Sequence, residues 1–382
     1  MPDHSIASPD DQRATFVELF FDLVFVFAVT GVTHYAALHL DALGILRAVA
    51  IFWLIWWGWT QFTWALNAAN TEHAGVRATT LVATAIAAAM AVSVEGAFSA
   101  ERGPSVAFAV SYLAVRLIGL GLFLRVVFHD ERERSAVSLF AVASVLGLLA
   151  VLVGAFLDPS VRLVYWLAAM LLDLGAGWFA GNRRPAAIRP EHFTERHGLI
   201  IIVALGESMI VAANGLSVEA SPQAAVAGLA VIITCLLWWT YFGWVKGLLE
   251  ESLVERDRFE GALLARDAHT FGHSPLVGGI IALAVGFEAC LHPGDYTTAQ
   301  AGAAVSVGLA LFLGSTAAVL WRAHGCLLWN RLIVCALTLV GLWGAANFSV
   351  QAVLIVAVTG LTGIVVFEQV KTRPEVGGAS FV

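Results

Sequence analysis

The sequence predicts an all-α protein, a polytopic bundle of about 12 transmembrane helices, from three observations. Of the 382 residues, 59% are hydrophobic and 13% charged, where soluble domains run nearer a quarter charged. Apolar runs of about 20 residues, the length that crosses a hydrocarbon core, follow one another along nearly the whole chain. Basic residues collect at alternate gaps between those runs, the pattern of a multi-pass protein.

The first run, 16–38, follows a polar leader, "MPDHSIASPDDQ". The leader lacks the basic segment of a cleavable signal, so the first helix is expected to stay and act as its own insertion signal. Runs at 43–66, 77–99, 105–127, 136–157 and 161–181 complete a first set of six. A second set lies at 197–216, 223–248, 268–291, 298–321, 328–346 and 348–370. Between its second and third members, "EESLVERDRFEGALLARD" (250–267) is charged and reads as a cytoplasmic helical extension or surface helix. The halves echo one another: "FWLIWWGWTQFTW" with "CLLWWTYFGWVKG", and "AVSVEGAF" with "AVGFEACL". Six spans return the chain to its starting side, so residues 1–190 and 191–382 are expected to be parallel 6+6 repeats.

Placing the N-terminus inside puts 17 of the 21 basic residues on the cytoplasmic side. Only Arg47, Arg102 and Arg162 fall outside, and Arg116 lies within a span. Both termini are therefore expected in the cytoplasm, with the chain multi-pass in its membrane. The net charge of −7 gives no reason to expect nucleic acid as a partner; the partner is the lipid bilayer. Cys235, Cys290, Cys326 and Cys335 show no CxxC and no metal-ligand spacing, and read as small buried apolar side chains. No phosphate-binding glycine loop or nucleophile elbow is present, and no cofactor is expected.

An ionisable group near the bilayer centre costs at least about 2.5 kcal/mol on insertion scales, so it needs a partner, water or neutralisation. "IIVALGESMIVAANG" puts Glu207 about 15 Å into its span, near the midplane. At helical spacing Arg196, Val203, Glu207 and Asn214 share one stripe, which must face protein or a water-filled cavity. Gly206 predicts close approach of another backbone beside the glutamate. In the first span Glu18 and Asp22 are one turn apart on one face, close enough to share a proton. The plainer alternative has Glu18 at the interface and Asp22 alone buried against an arginine.

Arg116 and Asp173 sit at comparable depth in the fourth and sixth spans and suit a structural ion pair; Arg196 or Arg116 would also set the charge state of Glu207. Glu95 and Glu288 occupy matching places near the outer ends of their helices, where function and reach to the interface are equal alternatives. "HTFGH" sets His269 and His273 one turn apart, but without a third ligand it reads as interfacial and without metal. Trp53, Trp57, Trp238 and Trp239 are candidates to line a cavity for an organic or cationic ligand. Packing and an aromatic belt are the alternative.

Two stretches carry a family resemblance. "VELFFDLVFVFAV" (17–29) and "ERHGLIIIVALGESMIVAANG" (195–215) resemble the signature segments of the bacterial low temperature requirement A family. The resemblance marks Glu18, Phe20, Asp22, Glu195, Arg196, Gly206 and Glu207, with His197 a local variation in "RHG". It implies a bacterial cytoplasmic (inner) membrane protein; the family name speaks of growth in the cold and names no chemistry. Three functions stay open. A proton- or ion-coupled secondary transporter for an unknown small molecule, ion or lipid leads, with Glu207 and Asp22 carrying the coupling and Glu18, Asn214, Arg196 and Arg116 around them. A membrane-embedded enzyme using acid catalysis on a lipid or isoprenoid is second, and a sensor or structural protein with static charge pairs is third.

Overall fold

The computed structural model describes residues 13–127, 134–183, 188–216, 221–325 and 327–371. Arg132, Arg184, Cys326 and Arg373 lie outside the described residues. All described elements are helical, and no strand occurs among them. The first half contains α1 (Phe16–Leu38), α2 (Ala42–Ala68), α3 (Ala74–Val92), α4 (Arg102–Val127), α5 (Arg134–Ala155) and α6 (Pro159–Arg183). The second contains α7 (Pro190–Asn214), α8 (Pro222–Thr240), α9 (Lys246–Val254), α10 (Arg258–Leu264), α11 (His273–Leu291), α12 (Thr298–His324), α13 (Trp329–Ala345) and α14 (Val350–Lys371).

Fourteen segments make twelve crossings because two pairs are continuous rods. A π-helical turn, Tyr241–Val245, joins α8 to α9, and another, Ala265–Phe271, joins α10 to α11. The charged stretch 250–267 is thus an extension of two spans, turning between them at Glu255–Asp257. Eleven crossings are long and apolar enough to span a membrane. The twelfth, α13, has 17 residues, about 25 Å of helix against about 30 Å of hydrocarbon. The third crossing stops at Val92, short of the expected 99, leaving Glu95 in the following turn.

Local chemistry sets the ends. Glu18 accepts from the backbone N–H of Thr15 (2.9 Å), tying off an otherwise unpaired donor at the start of α1. Asp41 caps α2 by accepting from Gly44 and Leu43, and those bonds hold its carboxyl below its ordinary range. Proline opens α7 and α8 at their first turns, where its missing N–H leaves no bond unmade. At the other extreme α12 ends on Gly325 at φ 73°, a left-handed conformation that glycine adopts without steric penalty.

Outward faces are apolar, with Phe27, Ile202, Leu337 and Trp343 exposed, as lipid requires. Cys235 is also exposed, contrary to the expectation of burial; Cys290 and Cys335 are buried. Arg162, one of the few basic residues assigned outside, is 1% exposed. It donates to the carbonyls of Ala97 (2.9 Å), Ser99 (2.9 Å) and Leu157 (3.0 Å), satisfying acceptors in the turns that follow α3 and α5.

Helices α11 and α12 cross at backbone contact. A Cβ at Gly279 would lie 2.8 Å from the Gly308 carbonyl oxygen and 2.8 Å from the Phe312 nitrogen; one at Gly308 would lie 2.8 Å from the Gly279 oxygen. Small residues permit this backbone contact, which supplies the dispersion and packing that hold helices together in lipid. Gly279→Ala and Gly308→Ala should each destabilise by about 1–3 kcal/mol through overpacking. Gly363→Ala, where an added Cβ meets nothing within 4 Å, should be near neutral. Melting of the detergent-solubilised protein on a size-exclusion column reads the difference; equal melting of all three would remove the glycine contact as the cause.

Candidate functional site at the contact of α1 and α7

The starts of α1 and α7 lie together: the Ala14 backbone N–H donates to Glu195 Oε2 at 3.2 Å. One turn deeper, α1 presents Glu18 (0% exposed) and Asp22 (2%), and α7 presents His192 and Arg196, both 0%. His192 Nε2 meets Glu18 Oε1 at 2.8 Å. The Arg196 guanidinium donates to both Asp22 oxygens, through Nε at 3.3 Å and through Nη2 to Oδ1, and also lies 3.5 Å from Glu18 Oε1. From α2, Trp59 Nε1 donates to Asp22 Oδ1 at 2.8 Å, and the Arg196 guanidinium stands over the Trp59 ring at 5.8 Å. Two carboxylates, one arginine, a histidine and an indole therefore form one network with no water-exposed member.

Both α1 carboxylates are buried, so Asp22 is not buried alone. Asp22 faces an arginine as the plainer expectation had it, and Glu18 shares that arginine. His192 and Trp59 escaped the sequence reading. His192 had a usable signal, lying four residues before Arg196 on the same face; Trp59 had none that set it apart from its tryptophan neighbours.

Glu207 lies three turns further along α7 and is 3% exposed. Its partner is Thr30 of α1, whose hydroxyl donates to Glu207 Oε2. Neither arginine reaches it: Arg196 is engaged by Asp22 and Glu18, and Arg116 by Asp173 (3.2 Å) and the Tyr112 hydroxyl (2.9 Å). His34 faces Glu95 at 3.8 Å, and Glu288 faces His292 at 3.3 Å. Gly206 serves no backbone approach, since a Cβ there would meet nothing within 4 Å. Asn214 ends α7 exposed and is not brought to either cluster.

The tryptophans divide. Trp53 and Trp57 are buried and stacked at 5.5 Å, and Trp57 stacks in turn on Phe271 at 6.1 Å. Trp238 and Trp239 are 47% and 49% exposed, so they lie on the outer surface of α8 and line no interior cavity. His269 and His273 are 0% exposed, and with His197 they form a triangle of rings. No group of three or more His, Cys, Asp or Glu suited to a metal occurs among the described residues.

These features define a class: a multi-pass helical membrane protein whose first and seventh helices meet through buried ionisable groups. The model of the bacterial low temperature requirement A protein family matches residues 13–366, and the chain belongs to that family. It is also similar to uncharacterized protein RA0937 of Rhizobium meliloti (strain 1021), 30% identical over 380 residues covering 93% of this chain and 88% of the relative. No solved structure matches the chain.

Removing one partner from a buried ion network leaves an unmatched charge and costs about 3–5 kcal/mol, whereas neutralising all partners together costs far less. Arg196→Met should therefore sharply lower the yield of monodisperse protein. Glu18→Gln/Asp22→Asn/Arg196→Met should recover most of it. A single variant as stable as the wild type would show that the network contributes nothing to folding.

Proposed function

We propose that the protein is a proton- or ion-coupled secondary transporter, working in the bacterial cytoplasmic membrane with both termini in the cytoplasm. The observation that carries this reading is the depth over which α1 and α7 meet through ionisable and hydroxyl groups. From Glu18 to Thr30 is 12 residues, about 18 Å along a helix, more than half of a hydrocarbon core. Asp22 and Arg196 occupy the inner part of that interval and Glu207 its outer part. A single structural ion pair needs one depth; acid groups at two depths along one contact suit a path on which a cation or proton is handed on.

We take the two halves as six-plus-six repeats, and carriers commonly place their sites between repeats. The packing corresponds: α1 lies on α2 and α3 as α7 lies on α8 and α11, and α3 pairs with α4 as α11 pairs with α12. When Glu18 is aligned with Glu195, Thr30 falls on Glu207. On that alignment the two residues that touch hold equivalent positions, as a pseudo-two-fold axis between repeats requires. A second reading, a static scaffold, is favoured by the pairing of Arg116 with Asp173 and of Arg196 with Asp22.

Thiol labelling separates the two. In a variant lacking native cysteines, Val203→Cys places a thiol on α7 between Arg196 and Glu207. Alternating access predicts modification by an impermeant reagent from either face of oriented vesicles, with the ratio shifted several-fold by Glu207→Gln. Protection from both faces, unchanged by Glu207→Gln, would leave the scaffold.

A further inference from the structure

We infer that His197, His269, His273 and Tyr241 form a proton-binding site on the α11 side of α7, back to back with the Arg196 network. The inference deepens the proton-coupled reading and rests on it for its use.

The three rings are 0% exposed, with centroids 5.0 Å (His197–His269), 5.0 Å (His269–His273) and 5.3 Å (His197–His273) apart. Hydrogen bonds assign two tautomers. His273 Nδ1 faces the Ala268 carbonyl at 2.8 Å and must carry hydrogen, so its Nε2 accepts from the Tyr241 hydroxyl at 2.7 Å. His197 Nδ1 faces the Phe193 carbonyl at 2.9 Å and carries hydrogen likewise. Its Nε2 is then a bare lone pair, buried and without a partner among the described residues. Neither nitrogen of His269 has a hydrogen-bond partner among the described residues. Buried polar atoms are mostly bonded; single ones without a partner occur elsewhere among the described residues, as at Trp53 Nε1 and Thr194, but here three nitrogens gather in one triangle of rings.

A proton answers the arrangement. It forms an N–H bond at one lone pair, and the lone pair of the neighbouring ring accepts that N–H after rotation of His269, which no hydrogen bond holds. No electron changes hands, and the proton comes from water. Each wall is accounted for. α7 offers Arg196, already held by Asp22 and Glu18; α2 offers the uncharged Trp56 and Trp59. The turn at Tyr241–Val245 offers Tyr241, and Lys246, paired with Glu250, approaches α7 at Gly198. Beside His269, Arg266 and Asp267 pair with each other, and Asp267 with Arg322. Among the described residues no carboxylate touches the rings, so the added charge is felt by Arg196 and, through Trp59, by Asp22. Both π-helical turns border the cluster, one beginning at Tyr241 and the other containing His269; such turns recur at functional sites.

The site predicts an optical signal, because an imidazolium quenches a nearby indole and Trp59 lies 5.1 Å from the His197 ring. Full-length protein in lipid nanodiscs, with a chelator throughout, is taken reversibly from pH 8 to pH 5. Tryptophan emission should fall, and His197→Gln or His269→Asn should each remove at least half of that fall, while His73→Gln keeps it. A wild type without the fall, or both variants with all of it, overturns the site. Nitrogen-15 histidine resonances of the wild type in bilayers need no variant: an imidazolium hydrogen-bonded to an imidazole at pH 5 supports it, and buried rings all neutral overturn it. Quenching with Val203→Cys protected from both faces keeps this site and removes the carrier. Two-faced labelling without quenching keeps the carrier and removes this site.

Discussion

Arg196 is wholly buried on α7 and is held between Glu18 and Asp22 of α1. Desolvating a guanidinium and two carboxylates costs several kcal/mol per ion, and only close mutual pairing offsets it. That requirement brings α1 and α7 together although 174 residues separate Asp22 from Arg196. It also draws in α2, whose Trp59 completes the hydrogen bonding of Asp22. The remaining helices pack around a contact whose geometry the charges dictate.

The same solvation constraint organises the periphery. Arg162 binds carbonyls at helix ends, Arg116 is matched by Asp173, and Arg331 of α13 by Glu368 of α14. Other buried polar atoms, among them Trp53 Nε1 and both side-chain polar atoms of Gln61, are also without a hydrogen bond among the described residues, but the histidine triangle gathers three such nitrogens in one ring contact. Residues 196 and 197 are adjacent in sequence yet about 100° apart around a helix. One turn of α7 therefore serves a charged cluster on one side and a neutral, proton-accepting cluster on the other.

Packing between helices follows a different rule. Without water to drive association, α11 and α12 approach through Gly279 and Gly308 to backbone contact. This rigid pair carries His273 at the start of α11 and supports the α7 face that bears His197. Precise ring placement depends on it, since a shift of even an ångström would separate Tyr241 from His273.

The sequence by itself determined the membrane class, the number of long apolar helices, most of their limits and the positions where charge enters the apolar interior. These follow from local quantities: run length, hydropathy and helical period. It also made Glu18, Asp22 and Arg196 legible as candidates, and the pairing of Arg116 with Asp173 from their similar depth. Only the tertiary structure decided who meets whom. It gave Glu207 to Thr30 and not to an arginine, sent Trp238 and Trp239 to the outer surface, and buried His269 and His273 against His197. The reason is physical: a helix period says which residues share a face. Which face is turned toward which helix depends on every crossing in the bundle at once.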